Sequence, residues 1–409
     1  QRKFRYVEKW TGSNLMESNP RKCKVMVIGG SHENEPLFEL FGTVIPFTDS
    51  YKYVGVQIQS KGKNIFRLHY ENKAQAARVA AMAAFSLNSI VGPIDPLTGR
   101  KLYLAQIDPH LTAACDVCVD TEQSHLRMLE RVQETFIRRF LGLSDKSLTA
   151  FLFSETGLWP IAYRRLTLAV RYLGYIIDLP DAHLAKRATK ESDLLARQNC
   201  ARGWYAGLIR LLKDRANFAL PAFGSLSPQI ITDALSSIRK TMLRTLRQRL
   251  DNSPKAYLVR DTQVEDEHGR VSKPVIYLRH YLTIIRRSHR LALTKLLLSD
   301  HSLASERMRW LEKDKRPPRN LRLCRNCGNS AETPEHIMFS CKLPQNTGAG
   351  KLRSAILTML GKKGASQIPD SEATTAVRSA LRSQHTVATL AELAYTSYTY
   401  FNKLQDDIE

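Results

Sequence analysis

Four residues within an eighteen-residue span constrain this chain more than any other feature: Cys324, Cys327, His336 and Cys341, spaced C-x2-C-x8-H-x4-C. Three thiolates and one imidazole suit tetrahedral zinc. Four protein ligands fill that coordination sphere and leave no position for an activated water, so the array reads as a structural Zn2+ clip and not as a hydrolytic centre. The local sequence agrees. Cys324 and Cys327 flank Arg325-Asn326, a spacing that lets one tight turn present both sulfurs, and Gly328 follows where such a turn often needs positive φ. Thr333-Pro334-Glu335 reads as a helix start, with Thr as cap, Pro first in the helix and an acid in the first turn. That start carries His336 near the second ligand pair, with Cys341 about one and a half turns on. The competing reading, three buried thiols beside an unrelated His, leaves the short spacing unexplained.

The surroundings of the clip are cationic. The 409 residues carry a formal charge of +22, which attracts polyanions: nucleic acid first, an anionic membrane second. Residues 236–342 hold 23 Lys/Arg against 11 Asp/Glu, whereas residues 350–409 hold 7 against 6. Binding is therefore expected in the middle of the chain and at the clip. The remaining cysteines, Cys23, Cys115, Cys118 and Cys200, make an odd total of seven, a reduced-compartment pattern and not a secreted disulfide framework. Cys115 and Cys118 have no second Cys/His pair near them and read as buried free thiols. No run of 18 apolar residues occurs, so no membrane span is expected. No signal peptide is visible, and the start at Gln1 fits a segment of a longer chain.

Periodicity predicts a mainly α fold with a small N-terminal β portion, an α+β chain of two or three domains. Residues 1–65 read as β-rich: Val25 to Ile28, closed by Gly29-Gly30, then Phe41 to Phe47 and Tyr51 to Ile58 with a turn at Thr48-Asp49-Ser50. Residues 71–91 are an Ala-rich helix and 93–100 a Pro/Gly loop. Residues 121–141 are amphipathic, with Leu126, Leu129, Phe136, Ile137 and Phe140 as the apolar stripe. Arg127, Arg131 and Arg138 share a second face, either a nucleic-acid contact or an ordinary solvated surface beside Glu130 and Glu134. Further helices are predicted over 160–180, over 228–250 with Arg239, Lys240, Arg244, Arg247 and Arg249, and over 276–299. In the last, Leu282, Ile285, Leu293 and Leu296 form a stripe flanked by Arg279, Arg286 and Arg290, and His289 reads as a packed core residue. Residues 251–274 read as a loop, and 351–409 as helical.

Four segments, in order, carry a family resemblance. Ser18 to Met26 reads S-N-P-R-K-C-K-V-M, and Tyr51 to Val56 reads Y-K-Y-V-G-V. Glu155-Thr156-Gly157-Leu158-Trp159-Pro160-Ile161 is followed by Arg164-Arg165, and Glu332-Thr333-Pro334-Glu335-His336 lies inside the clip. Together they resemble the C-terminal part of non-LTR retrotransposon reverse transcriptases. The resemblance implies a remnant of the polymerase palm over 1–65, with a primer-grip-like hairpin formed by Tyr51, Lys52, Tyr53 and Gly55. It implies a helical thumb over 66–145, a basic helical region over 146–320, a CCHC zinc knuckle over 321–345 and a helical tail over 346–409. Lys22 would match the palm lysine suspected of protonating departing pyrophosphate; the other reading is a solvated residue between strands. Tyr51 and Tyr53 alternate with Lys52 and share one face, and most of that face is expected in the core. Implied partners are RNA and DNA (template–primer and target DNA) and the missing N-terminal palm and fingers of the same polyprotein. Localisation would be intracellular, and nuclear for target-primed integration.

The polymerase carboxylates that would hold Mg2+ are not in this sequence. No aromatic-x-Asp-Asp turn precedes Lys22, and the lone Asp406-Asp407 has no strand context. The chain is therefore expected to be inactive alone. Pro369-Asp370 is not followed by the D/E-x-K of a restriction-like nuclease, and Gly348-Ala349-Gly350-Lys351 is not a phosphate-binding loop. Three readings compete: the C-terminal part of an RNA-directed DNA polymerase, a stand-alone zinc-clipped RNA/DNA-binding module, and a non-functional retroelement relic.

Overall fold

The computed structural model describes residues 2–29, 36–62, 64–198 and 203–404. Gly30, Cys200, Asp406 and Asp407 lie outside them. Most of the described chain is helical, and its strands form small antiparallel pairs.

The N-terminal portion is less β-rich than expected. It opens with helix α1 (Arg2–Ser13), whose Phe4 packs its ring 5.6 Å from that of Phe38. Strands β1 (Glu39–Leu40) and β2 (Thr43–Val44) form one short pair, and β3 (Ser50–Tyr53) and β4 (Val56–Gln59) a longer hairpin. Val25 contributes a single parallel bridge to Phe47 and no strand. The β3–β4 register pairs Tyr53 with Val56, so Val54-Gly55 is a two-residue turn with φ of 45° and 83°. Two positive φ values match the turn type that follows the twist of a hairpin. Gly55 adopts its value freely, but a β-branched Val at +45° is strained.

Helices then dominate. The Ala-rich α2 (Arg67–Ser86) and short α3 (Asn88–Val91) precede α4 (Pro96–Leu102), which replaces most of the expected loop. Its start is a cap: Asp95 Oδ1 accepts from the N–H groups of Leu97 at 2.9 Å and Thr98 at 3.1 Å, and Pro96 opens the helix. Helix α5 (Asp108–Thr112) leads to α6 (Gln123–Leu141), whose predicted stripe is entirely buried. After α7 (Thr149–Ser154) come α8 (Ile161–Asp178), α9 (Leu184–Arg197), α10 (Trp204–Ala216) and the long α11 (Pro228–Asp251). A small hairpin, β5 (Val264–Glu265) with β6 (Val271–Ser272), interrupts the expected loop.

The helix expected over 276–299 begins only at Arg287, as α12 (Arg287–Leu297). Residues 277–279 are instead held extended: Tyr277 N–H donates to Ser154 O at 3.0 Å, and Arg279 N–H to Glu155 O at 3.0 Å. Tyr281 OH reaches Glu155 Oε2 at 2.9 Å. These tertiary bonds outweigh helix propensity, and they leave Ile285 97% exposed, off the apolar stripe. Short α13 (Ala304–Arg307), then α14 (Ala349–Met359), α15 (Asp370–Ala380) and α16 (Gln384–Lys403) complete the order. No described helix is long and apolar enough to cross a membrane.

Two hydrophobic cores result. The larger joins α2, α6, α7, α12, α14 and α16 through residues such as Tyr70, Phe136, Phe151, Leu296 and Phe401, and it includes Cys324, Ile337, Met338, Phe339 and Cys341. The smaller lies between α8, α10 and α11, around Leu173, Leu208 and Ile238. The Cys/His clip is thus built into the main core and is not an appended finger.

Candidate metal centre and cationic surface

The chain positions the four candidate ligands from two short turns. Leu323 bridges Ala331, Cys324 N–H donates to Ser330 O at 2.7 Å, and Gly328 N–H donates to Cys324 O at 2.8 Å, closing the loop that carries the first pair. Gly328 has φ of 68°, the left-handed value its position predicts. Thr333 caps the next turn by accepting from His336 N–H at 3.3 Å. A π-helical turn (His336–Ser340) then delivers Cys341, whose N–H donates to His336 O at 2.8 Å.

The ligand atoms of Cys324, Cys327, His336 and Cys341 all lie within 4.8 Å of one another. Cys324 Sγ is 3.7 Å from Cys341 Sγ, and Cys327 Sγ is 3.5 Å from His336 Nε2. A tetrahedral metal with ~2.3 Å bonds to sulfur and ~2.0 Å bonds to nitrogen has edges of about 3.8 Å (S to S) and about 3.5 Å (S to N). The two measured edges fit. The sulfurs are crowded enough to share a proton: contact with Cys341 pushes the Cys324 thiol up to about 12, and contact with Cys324 holds Cys341 below the ordinary thiol value. Cys324, Cys327, His336 and Cys341 could hold a cation between them, which would relieve that crowding by binding the thiolates.

Outer contacts fix the ligands. His336 Nδ1 lies 2.8 Å from Asp370 Oδ1, the carboxylate–histidine arrangement that orients a metal-bound imidazole. Asn326 Nδ2 donates to Cys341 Sγ at 3.1 Å, and Tyr400 OH donates to Asn326 Oδ1 at 2.8 Å. Buried Arg353 donates to Met338 O and Cys341 O, each at 2.7 Å. Buried Glu332, from the E-T-P-E-H segment, accepts from Ala304 N–H and Arg325 N–H, both at 2.9 Å. Asp370 carried no metal-related signal in the sequence; it lies 34 residues beyond His336 and only tertiary structure joins them. Asp370→Ala is expected to weaken metal affinity about 10- to 100-fold while leaving the metal:protein ratio at saturation unchanged, as read by competition with a chromogenic chelator.

The cations expected to bind nucleic acid fall into two groups. Lys22, Lys52, Arg127, Arg131, Arg239, Lys240, Arg244, Arg247 and Arg286 are exposed, although Arg127 is also ion-paired on its own helix, to Glu134 Oε1 at 2.6 Å. Lys240, Arg244 and Arg247 recur at helical spacing along one face of α11. The others serve the fold. Buried Arg138 reaches Glu134 Oε2 at 3.4 Å and Ser147 Oγ at 3.2 Å. Buried Arg290 donates to the carbonyls of Ile284 and Ile285, and Arg279 is buried beside Glu155. At the hairpin, Tyr51 is half-buried and its OH donates to Lys22 O at 3.0 Å. Tyr53 is 64% exposed, so most of the tyrosine face is not in the core; α2 packs against β4, where Val56 meets the main core, and leaves the tip of β3 uncovered.

Two other sequence readings have clear outcomes. Burial pushes the Cys115 and Cys118 thiols up to about 11 and about 12, which makes them poor nucleophiles. Buried His289 stacks on Tyr395 with ring centroids 5.0 Å apart. No protein-family model, curated protein or solved structure matches the chain.

Proposed function

We propose that this chain is the C-terminal part of a non-LTR retrotransposon reverse transcriptase, which grips RNA and DNA through exposed cations and holds structural zinc at Cys324, Cys327, His336 and Cys341. The observation that carries the reading is the contact between two of the matching segments. Tyr51 OH donates to Lys22 O at 3.0 Å, so the palm-like turn and the primer-grip-like hairpin form one unit. At its tip Tyr53 and Lys52 are exposed, and strained Val54 is 85% exposed. Backbone strain held at an exposed tip is a feature of ligand contacts. Aromatic and cationic side chains together suit a strand end, one by stacking on a base and the other by pairing with a phosphate. Lys22, exposed beside this unit, would act on pyrophosphate only once the upstream carboxylates and their Mg2+ are supplied. The chain alone binds and does not polymerise.

A second reading, a zinc-clipped RNA/DNA-binding module without chemistry, is favoured by the α11 row, which needs no palm to bind phosphates. The reading frame upstream of Gln1 separates the two: an aromatic-x-Asp-Asp turn there supports the polymerase, and a stop codon directly upstream overturns it. Both readings share a binding prediction. Affinity for single-stranded RNA is expected to fall steeply with salt, and Arg239→Ala/Lys240→Ala/Arg244→Ala is expected to reduce the log–log salt slope by about 2. Fluorescence anisotropy across a salt series measures both, and a salt-independent affinity would count against either reading.

A further inference from the structure

Residues 307–322, which join α13 to the clip, carry seven Lys/Arg against two Asp/Glu, and no motif covers them. They form a loop closed at its base by Arg322. Only 7% exposed, this side chain donates from Nε to Pro317 O at 3.1 Å and from Nη1 to Ser305 O. The clip holds the same base: Glu332 N–H donates to Arg322 O at 2.8 Å, and Ser305 N–H to Glu332 O at 3.3 Å. Within the loop, Arg316 Nη2 donates to Leu311 O at 3.1 Å, and Arg319 lies over the Tyr257 ring, 4.0 Å from its centroid. Tyr257 OH in turn donates to Glu335 Oε2 at 2.6 Å, next in sequence to His336.

The loop's aromatic residue is Trp310. Lys146 Nζ, from the turn between α6 and α7, sits over one face of the indole at 3.8 Å from the ring centroid. Lys255 fixes that turn by donating from Nζ to Lys146 O at 3.1 Å. Trp310 is nevertheless 62% exposed. With Lys146 on one face, exposure of that size comes largely from the opposite face and the ring edges. The surrounding charge is not neutralised. Arg309 pairs with Glu306 at 2.8 Å and Lys315 with Glu312 at 2.7 Å, but exposed Lys146, Lys313, Arg316 and Arg319 have no ion-pair partner among the described residues. Burial, and with it repulsion from Arg309, Arg316 and Arg319, holds the Arg322 guanidinium below its ordinary value despite nearby Glu306. An open aromatic face beside unpaired cations suits a single nucleic-acid strand: the ring stacks an unpaired base, and the cations meet the phosphates that flank it. A lipid headgroup layer matches the charge but has no planar group for the ring.

We propose that this loop and Lys146 bind a single nucleic-acid strand, with one base stacked on the open face of Trp310 and the flanking phosphates met by Lys146, Arg316 and Arg319. The choice of partner rests on the nucleic-acid reading above; the place and mode of contact are new. The clip gains a role from it, since Glu332 and Glu335, inside the clip, hold the base of the loop and the ring beneath Arg319.

The test compares the full chain with Trp310→Ala, Trp310→Phe and Arg316→Ala/Arg319→Ala, all altered at exposed positions. The probe is a short oligouridylate. Its affinity is read by fluorescence anisotropy of a labelled form across a salt series, and tryptophan emission is followed as the unlabelled form is added. Trp310→Ala should bind about tenfold more weakly with an unchanged salt slope, and Trp310→Phe, which keeps a stacking ring, should recover most of that loss. Arg316→Ala/Arg319→Ala should lower the slope by roughly 1.4. Oligouridylate should quench the emission of the unaltered chain and leave that of Trp310→Phe, which keeps three of the four tryptophans, nearly unchanged. If Trp310→Ala binds as tightly as the unaltered chain, or the quenching survives in Trp310→Phe, the platform is overturned, while a steep salt slope in the unaltered chain would leave the proposed function standing. Absence of RNA binding from the unaltered chain would overturn both. If Trp310→Ala loses affinity for phosphatidylserine vesicles and not for RNA, the loop is a membrane contact and the proposal falls.

Discussion

Replacing Cys324 and Cys327 together by serine is expected to remove about one bound zinc per chain and to unfold the C-terminal third of the main core. Structural zinc contributes on the order of 10 kcal/mol to the fold of a small zinc domain. Here the clip is not separable from its surroundings. Ile337, Met338 and Phe339 follow His336 directly and are fully buried in the main core. Arg353 of α14 donates to Met338 O and Cys341 O, Tyr400 of α16 to Asn326, and Ile368 N–H to Phe339 O at 3.2 Å. Loosening the turns withdraws partners from α14, α15 and α16 at once. Even half the usual zinc contribution, about 5 kcal/mol, implies a fall in melting temperature of about 10–20 °C. Elemental analysis reads the metal, and hydrogen exchange reads the location: amides of α14–α16 should lose protection while those of α8 and α10, in the smaller core, keep theirs. A metal-free preparation with the same melting temperature would sink the zinc assignment. Loss of protection spread evenly over both cores would instead mean that the clip supports the whole chain.

The clip was readable in sequence because its four ligands lie within a short span, where spacing alone dictates geometry. Its supports were not. Asp370 stands in a Pro-Asp pair that has no local relation to metal, and only the packing of α15 brings it to His336. The same division runs through the fold. The stripe on α6 predicted its buried face because a helix of that length with one apolar side has few alternatives. The helix drawn over 276–299 failed in its first half, where Leu282 is buried as expected but Ile285 is not, since the backbone there bonds to Ser154 and Glu155, more than 120 residues away in sequence. Charge was the least informative signal. Arg138, Arg279 and Arg290 look like surface cations in a list of residues, yet each is buried and held by a carboxylate or a carbonyl. Whether an arginine faces solvent depends on how the chain folds around its acceptor: most acceptors here lie within seven residues, and only Arg279 also meets a distant one, Glu155.

Arg165 carries that point to its largest consequence. Arg165→Met is expected to destabilise the chain by about 3–5 kcal/mol. Only 2% exposed, its guanidinium ties three segments together. Nε donates to Asp120 Oδ1 at 2.9 Å, Nη1 to Leu111 O at 2.7 Å, and Nη2 to Cys118 O at 3.1 Å and Tyr70 OH at 3.2 Å. Tyr70 OH in turn donates to Asp120 Oδ1 at 2.6 Å. Burial works against the Arg165 charge, but the adjacent Asp120 carboxylate outweighs it and holds the guanidinium more firmly protonated than usual. Removing the arginine leaves Asp120 charged, buried and short of its main partner, and that orphaned charge accounts for most of the loss. Asp120→Leu should be costly for the mirrored reason. The pair Arg165→Met/Asp120→Leu should then cost less than the sum of the single changes by about 1–3 kcal/mol, since neither orphan remains. Urea unfolding of the four proteins gives this coupling directly, and additivity within about 0.5 kcal/mol would show that the network does not act as a unit. RNA affinity of the folded variant should stay unchanged. The Arg164-Arg165 pair belongs to a segment that resembles a nucleic-acid polymerase, but Arg165 faces inward, and Arg164 Nε donates to buried Asp108 at 2.7 Å. The match at this position marks a joint between α2, α5 with the residues that follow it, and α8.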